Sequence, residues 1–194
     1  EALRLAEEND RYGVHRLSLV TSGRSADEAL LAQLARIYQK ISNNCRLKLC
    51  GSLGLLTPDK ARLIRKMGVS RYHCNLEGSR HFFPRVCTTH TWEEKVETLR
   101  LAREAGLSLC SGGIIGMGED MADRIDLALE LRELKVDSIP LNILTPIPAT
   151  PLGALQPLAA QRHGGERVSV LAALEAEGLG LALQVQLPAQ GDVI

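Results

Sequence analysis

The stretch from Leu107 to Asp120, LSLCSGGIIGMGED, decides how the chain is read. It reads as a short apolar strand ending at Cys110, a glycine-rich loop, and a handover to a helix at Met121. Glycines at 112, 113, 116 and 118 let backbone approach a ligand closely, and Ile114, Ile115 and Met117 hold the loop against a core. Such a loop either cradles a small molecule or makes a tight corner with no ligand. It lacks the G-x-G-x-x-G order of a dinucleotide cradle, so spacing alone fits the corner better. Its company points the other way, because Cys110 ends the strand and Cys45, Cys50, Cys74 and Cys87 precede it.

The same punctuation repeats on either side. EALRLAEEND reads as part of an amphipathic helix stopped by Gly13, and Val14 to Val20 alternates as a strand does. Asp27 begins a helix with Leu30, Leu31, Leu34, Ile37 and Ile41 on one face. Leu47 to Cys50 is a short strand followed by a GSLGLL loop, and Thr57-Pro58 caps the next helix, which ends at Gly68. A third strand over Arg71 to Asn75 runs into a loop from Leu76 to Thr89, too long for a plain connector. Thr91 and Glu94 form a capping box for a helix that Gly106 stops. Beyond the helix from Met121 to Leu134, a fifth strand covers Asp137 to Asn142. Residues from Gly153 onward offer one helix, Glu166 to Ala176.

A strand every 25 to 35 residues or so is the period of parallel βα architecture. The expected fold class is α/β, a partial TIM-type (β/α) barrel with about five βα units in residues 1–152, followed by a poorly defined segment over 153–194. Five units cannot close an eight-stranded barrel, so exposed sheet edges and marginal stability are expected. Parallel sheets put ligands at the carboxyl ends of their strands, which here carry Ser18 to Ser22, Cys50, Asn75 with Glu77, Cys110 and Asn142.

Composition narrows the partners. Lys plus Arg and Asp plus Glu both number 23, so net charge gives no reason to expect nucleic acid or an anionic membrane. No apolar run reaches the ~20 residues that cross a bilayer, and no signal peptide is read, so the expected location is the cytoplasm. Five cysteines in this setting point to free, catalytic or metal-bound thiols rather than disulfides. Cys50 and Cys110 end strands of one sheet and can hold a soft metal or an iron–sulfur cluster, or each can be a small buried hydrophobe. Cys87 lies in the long loop beside His90, where no core explanation is evident; Cys45 reads as structural, and the face of Cys74 is ambiguous. None of the spacings is a C-x-x-C pair.

YHCNLEGS at 72–79, CTTHTWEEKVETLRLAREAGLSLCSGGIIGMGED at 87–120 and SIPLNILTPIPATPL at 138–152 resemble the biotin synthases of the radical S-adenosylmethionine superfamily. The resemblance runs in unbroken order from Val14 to Leu152, through KLCGSLGLLTPDKARLIRKMGVSRY. It implies a (β/α)8 barrel in which a [4Fe-4S] cluster cleaves S-adenosylmethionine, the resulting radical abstracts hydrogen from dethiobiotin, and an auxiliary iron–sulfur cluster donates sulfur. It also implies a homodimer, with the electron donor and the sulfur source left unidentified. Residue by residue, Asn75 and Glu77 match the positions that hold the cofactor ribose. Gly112, Ile114, Gly116 and Glu119 match a G-x-I-x-G-x-x-E loop beside its adenine. Asn142, with Asn75, matches the amides that hold the ureido ring of dethiobiotin. Cys50 and Cys110 match auxiliary-cluster ligands.

There are three departures. The family's C-x-x-x-C-x-x-C motif is not in this sequence, so the chain as given is expected to be an inactive fragment. Ser18 stands where many members have a third auxiliary-cluster cysteine, and Cys87 is expected to take that role. The family's R-L-x-x-G-R segment is not found after residue 152. Two other readings compete: a sister enzyme of the same barrel, such as a hydrogenase maturase or a methylornithine synthase, and a metal-free scaffold.

Overall fold

The computed structural model describes residues 1–155 and 183–185. These form two compact units, Glu1–Cys74 with Thr89–Cys110, and Asn75–Thr88 with the described residues from Ser111 onward.

The first unit runs α1 (Ala2–Arg11), β1 (Arg16–Val20), α2 (Glu28–Asn44), β2 (Lys48–Ser52), α3 (Pro58–Lys66), β3 (Val69–His73), α4 (Trp92–Glu104) and β4 (Ser108–Cys110). Its strands lie in the order β1-β2-β3-β4, all parallel. The helices start where their caps dictate. Asp27 and Thr57 accept the backbone N–H groups of Leu30 and Lys60, and Thr91 and Glu94 make the expected capping box. The helices bury Leu31, Tyr38, Ile41, Ile64 and Leu99. The sheet side of this core includes Leu49, Tyr72 and Leu109. Each large side chain removed from water in this way contributes about 1.5–3 kcal/mol.

The pairing of β2 with β3 is irregular. Leu49 lies opposite Val69 and Cys50 opposite Arg71, so Ser70 is one residue more than the ladder needs. Such a bulge re-aims the residues after it. Val69 stays with the apolar side of the sheet, while Arg71 and His73 turn to the other side. The third strand therefore begins two residues before the expected Arg71 and ends at His73, short of Asn75.

The second unit contains a 3₁₀ turn (Phe83–Arg85), β5 (Gly113–Ile115), α5 (Met121–Glu133), β6 (Ile139–Ile143) and β7 (Leu183–Val185), with the strands parallel in the order β5-β6-β7. Here the reading of 107–120 needs correction, since Gly113–Ile115 is not loop but a strand of the second sheet. Ile114 and Ile115 have the β-branched shape that suits a strand, and Gly112 and Gly113 let it lie close to its neighbours. A Cβ on Gly112 would sit 1.8 Å from the Pro140 carbonyl oxygen, and one on Gly113 would sit 2.6 Å from that of Glu77. The absence of a side chain at these two positions is what lets the strand pack this closely. Asp120 caps α5 reciprocally with Asp123. The helix expected at 166–176 lies outside the described residues.

Candidate functional site

Strand alternation sorts the first sheet into two faces. Directly opposed pairs Ser18 with Cys50, Cys50 with Arg71, Arg71 with Ser108 and His73 with Cys110 share one face, together with Arg16. Leu17 with Leu49, Gly51 with Tyr72, and Tyr72 with Leu109 share the other. A (β/α) barrel interior is ordinarily packed with Val, Ile and Leu. These pairs, together with Arg16, put two thiols, two guanidiniums, two hydroxyls and an imidazole on this face, with Lys48 and Ser52 at the ends of the β2 track.

The groups on that face are tied to one another. The Arg16 guanidinium donates to the Leu49 carbonyl at 3.2 Å and to Ser70 Oγ at 2.9 Å, and Arg71 Nε donates to Ser108 Oγ at 3.1 Å. Burial pushes the Cys50 thiol up, against the pull of the Ser18 hydroxyl and of Arg16 and Arg71. His73 Nδ1 lies 3.2 Å from Cys110 Sγ. Burial, helped by the Lys95 ammonium, lowers the His73 pKa and so favours the neutral ring. Lys95 itself is only 9% exposed on α4 and acts in the same direction on His90. Cys74 falls on the side of Tyr72, whose phenol it helps push up, so it is turned away from the thiol-bearing face. Cys45 is the C-cap of α2, in keeping with a structural role.

Sequence reading found Ser18, Cys50 and Cys110 but passed over Arg16, Arg71, His73 and Lys95. The first three had a signal, since R-x-S and R-x-H put polar residues at every second position of a strand whose intervening residues are apolar. Lys95 gave none, because a lysine in a helix is read as solvated unless its face is known.

The second unit brings the remaining candidates together around β5. Asn75 Oδ1 accepts the Gly112 N–H at 3.0 Å. Glu77 donates its N–H to the Gly112 carbonyl at 3.0 Å and accepts the Ile114 N–H at 2.9 Å, forming a parallel bridge with Gly113. Glu77 does this at φ 68°, in the left-handed region that non-glycine residues avoid. Gly116 and Gly118 turn at φ 101° and 103°. The Gly116 and Met117 N–H groups reach the two Glu119 carboxylate oxygens at 2.7 and 2.8 Å, and Arg124 pairs with Glu119 at 2.7 Å. With its side chain only 4% exposed, Glu119 is the anchor of the loop.

Asn142 lies directly opposite Ile114. Ile115, Ile139 and Leu141 line a small void against Leu127 and Leu131 of α5, so Ile114 and Asn142 belong to the opposite face of the sheet. Cys87 is half-buried at the end of the 3₁₀ turn, its N–H donated to the Phe83 carbonyl at 3.0 Å. Among the described residues, no three His, Cys, Asp or Glu side chains converge as a metal site. No described helix is long and apolar enough to cross a membrane.

Residues 1–131 match the family model described as the Radical SAM superfamily. Biotin synthase from Desulfotalea psychrophila is 55% identical over 156 residues, which is 80% of this chain and 46% of that protein. Biotin synthase from Clostridium botulinum (strain Langeland) is 51% identical over 144 residues, covering 74% of this chain and 45% of the relative. The chain thus spans about half the length of the curated relatives it matches. In structure it is similar to methylornithine synthase, with a TM-score of 0.75 at 16% identity over 92% of this chain and 51% of that one. It is also similar to the FeFe-hydrogenase maturase HydG from Carboxydothermus hydrogenoformans, with a TM-score of 0.68 at 14% identity over 92% and 43%. The structural likenesses carry the fold, the parallel (β/α) barrel class, and the sequence likeness carries the kinship. The chain belongs to the radical SAM superfamily and within it resembles the biotin synthases across most of its described length.

Proposed function

We propose that this chain is the substrate- and cofactor-holding part of a biotin synthase, an enzyme that inserts sulfur into dethiobiotin. The observation that carries the reading is the placement of Cys50 and Cys110 on one polar face flanked by Arg16 and Arg71, in a chain 55% identical to a biotin synthase.

The two thiols of that face suit part of the ligand set of an iron–sulfur cluster. Thiolates ligate iron, and nearby guanidiniums offset the negative charge of the assembly. Cys50 and Cys110 are the ligands the first unit offers, and Cys87 is proposed as a third. When bound, the auxiliary cluster would supply the sulfur. Iron and sulfide counts with Mössbauer spectra of Cys87→Ala check the third ligand: an unchanged cluster removes Cys87 from the set. The radical-generating [4Fe-4S] cluster is different. None of the five cysteines forms a C-x-x-x-C-x-x-C, so the residues present do not fit it.

For S-adenosylmethionine and dethiobiotin the chain offers Asn75, Glu77, the turn from Gly112 through Ile114 and Gly116 to Glu119, and Asn142. Asn75 has its carbonyl oxygen fixed on Gly112, and its amide suits a ribose oxygen or a ureido ring because an amide both donates and accepts. The Glu77 carboxylate suits ribose hydroxyls as an acceptor, and Asn142 suits a ureido ring that both donates and accepts. Glu119 contributes indirectly, holding the Gly116 turn in shape. A homodimer in the cytoplasm completes the proposal. Calorimetric titration of the chain with S-adenosylmethionine and with dethiobiotin tests the reading, which requires saturable heat from at least one. A metal-free scaffold, the reading favoured by the missing cysteine motif, binds neither.

A further inference from the structure

We propose that His73 is a positioning residue for Cys110, donating its Nδ1–H to the Cys110 sulfur while that sulfur holds iron. The inference rests on the reading of the polar face as an iron–sulfur site and assigns a role to a residue outside the ligand set.

The geometry is fixed by the sheet rather than by side-chain chance. His73 and Cys110 are the last residues of β3 and β4 and lie directly opposite in a parallel ladder, and the Cys74 N–H is donated to the Cys110 carbonyl at 3.0 Å just beyond. The bulge at Ser70 puts the imidazole on the thiol-bearing face. Nδ1, the ring nitrogen nearer the backbone, is the one 3.2 Å from the sulfur. An iron-bound thiolate only accepts hydrogen bonds, so the neutral ring must carry its proton on Nδ1.

Direct ligation of iron by His73 fits less well. Two ligands of one tetrahedral metal, with bonds of about 2.3 Å to sulfur and about 2.0 Å to nitrogen, stand about 3.5 Å apart. A nitrogen already at 3.2 Å, with no metal between, is at donor distance from the sulfur. Ser18 of the neighbouring strand lies directly opposite Cys50, so its hydroxyl shares the face of that thiol. Hydrogen bonds to cluster sulfurs stabilise the charge added on reduction and raise the potential.

The test is a redox titration, followed by electron paramagnetic resonance, of the chain loaded with iron and sulfide, comparing the native protein with His73→Ala and His73→Gln. The expected result is a lower midpoint potential in His73→Ala and recovery of most of the shift in His73→Gln, which keeps an N–H donor. In the reduced native protein, proton double resonance should find a coupling that disappears in D2O, beside only weak nitrogen coupling. An unchanged potential in His73→Ala, equal shifts in both variants, or the strong nitrogen coupling of a directly bonded imidazole each overturns the role. Failure of the native chain to retain iron overturns the cluster reading and this role together. Iron retained without these effects overturns the role alone.

Discussion

The Gly112 N–H is donated to the side-chain oxygen of Asn75 at 3.0 Å, so this amide, proposed above as a ligand contact, is also part of the fold. Asn75→Asp keeps the acceptor and removes both donors. Its thermal midpoint is expected to stay near native while affinity for S-adenosylmethionine or dethiobiotin falls roughly tenfold, the worth of one hydrogen bond of ~1.4 kcal/mol. Asn75→Ala loses both functions, and its midpoint should drop as well. Paired calorimetry and thermal melts of the two variants make the distinction.

Glu77 holds a left-handed backbone, φ 68°, at a residue type that carries about 1 kcal/mol or more of strain there. Glu77→Gly removes the strain together with the carboxylate. The variant should be at least as stable as the native chain in urea, yet bind S-adenosylmethionine more weakly. A loss of stability would show that the carboxylate, rather than the backbone bonds to Gly112 and Ile114, maintains the turn.

Arg124 and Glu119 form an ion pair with only 14% and 4% of their side chains exposed. Removing one partner strands a buried charge, so Arg124→Met is expected to cost about 3 kcal/mol or more by urea denaturation. A cost near zero would mean that the amides of Gly116 and Met117 compensate Glu119 unaided.

Two glycines of the same loop should differ sharply. At Gly112 an added methyl meets the Pro140 carbonyl oxygen at 1.8 Å, and Gly112→Ala is expected to prevent native folding. At Gly118 nothing lies within 4 Å and the backbone alone objects, with φ at 103°, so Gly118→Ala should cost only about 1–2 kcal/mol. Near-ultraviolet circular dichroism and melting curves read both.

The Ser79 hydroxyl, donating at 2.5 Å, holds the Asp123 carboxyl below the usual carboxylate range, with the Asp120 backbone adding to the effect. Because the folded form binds its proton less readily than the unfolded form, ionised Asp123 favours folding. That contribution is complete above the unfolded value of about 4 and is lost as pH falls through the lowered folded value. Asp123→Asn should therefore flatten the acid limb of a stability–pH curve below about pH 4. An unaltered limb assigns acid sensitivity to other groups.

The helices were legible because their signals are local. Asp27, Thr57 and Thr91 cap where their side chains can reach the next turn, and the positive-φ glycines 13, 68 and 106 stop helices just before them. The parallel order followed from the period of the units. The bulge at Ser70 was not legible, since an extra residue shows only against its partner strand, and without it the face of Arg71 and His73 cannot be assigned. The strand at Gly113–Ile115 and the close packing at Gly112 and Gly113 were hidden for a similar reason: their neighbours, Pro140 and Glu77, are distant in sequence. At Glu119 the partners of the carboxylate, Arg124 and two backbone amides, are likewise revealed only by the fold.

The two-faced sheet of the first unit has a consequence for how such a protein can change. Alternate residues of one strand answer to separate demands: Leu49, Tyr72 and Leu109 supply the apolar face, while Cys50, His73 and Cys110 set thiols and an imidazole on the other. Substitutions along the second track can therefore redirect chemistry without first having to be reconciled with folding. A scaffold built this way can host new reactions one residue at a time.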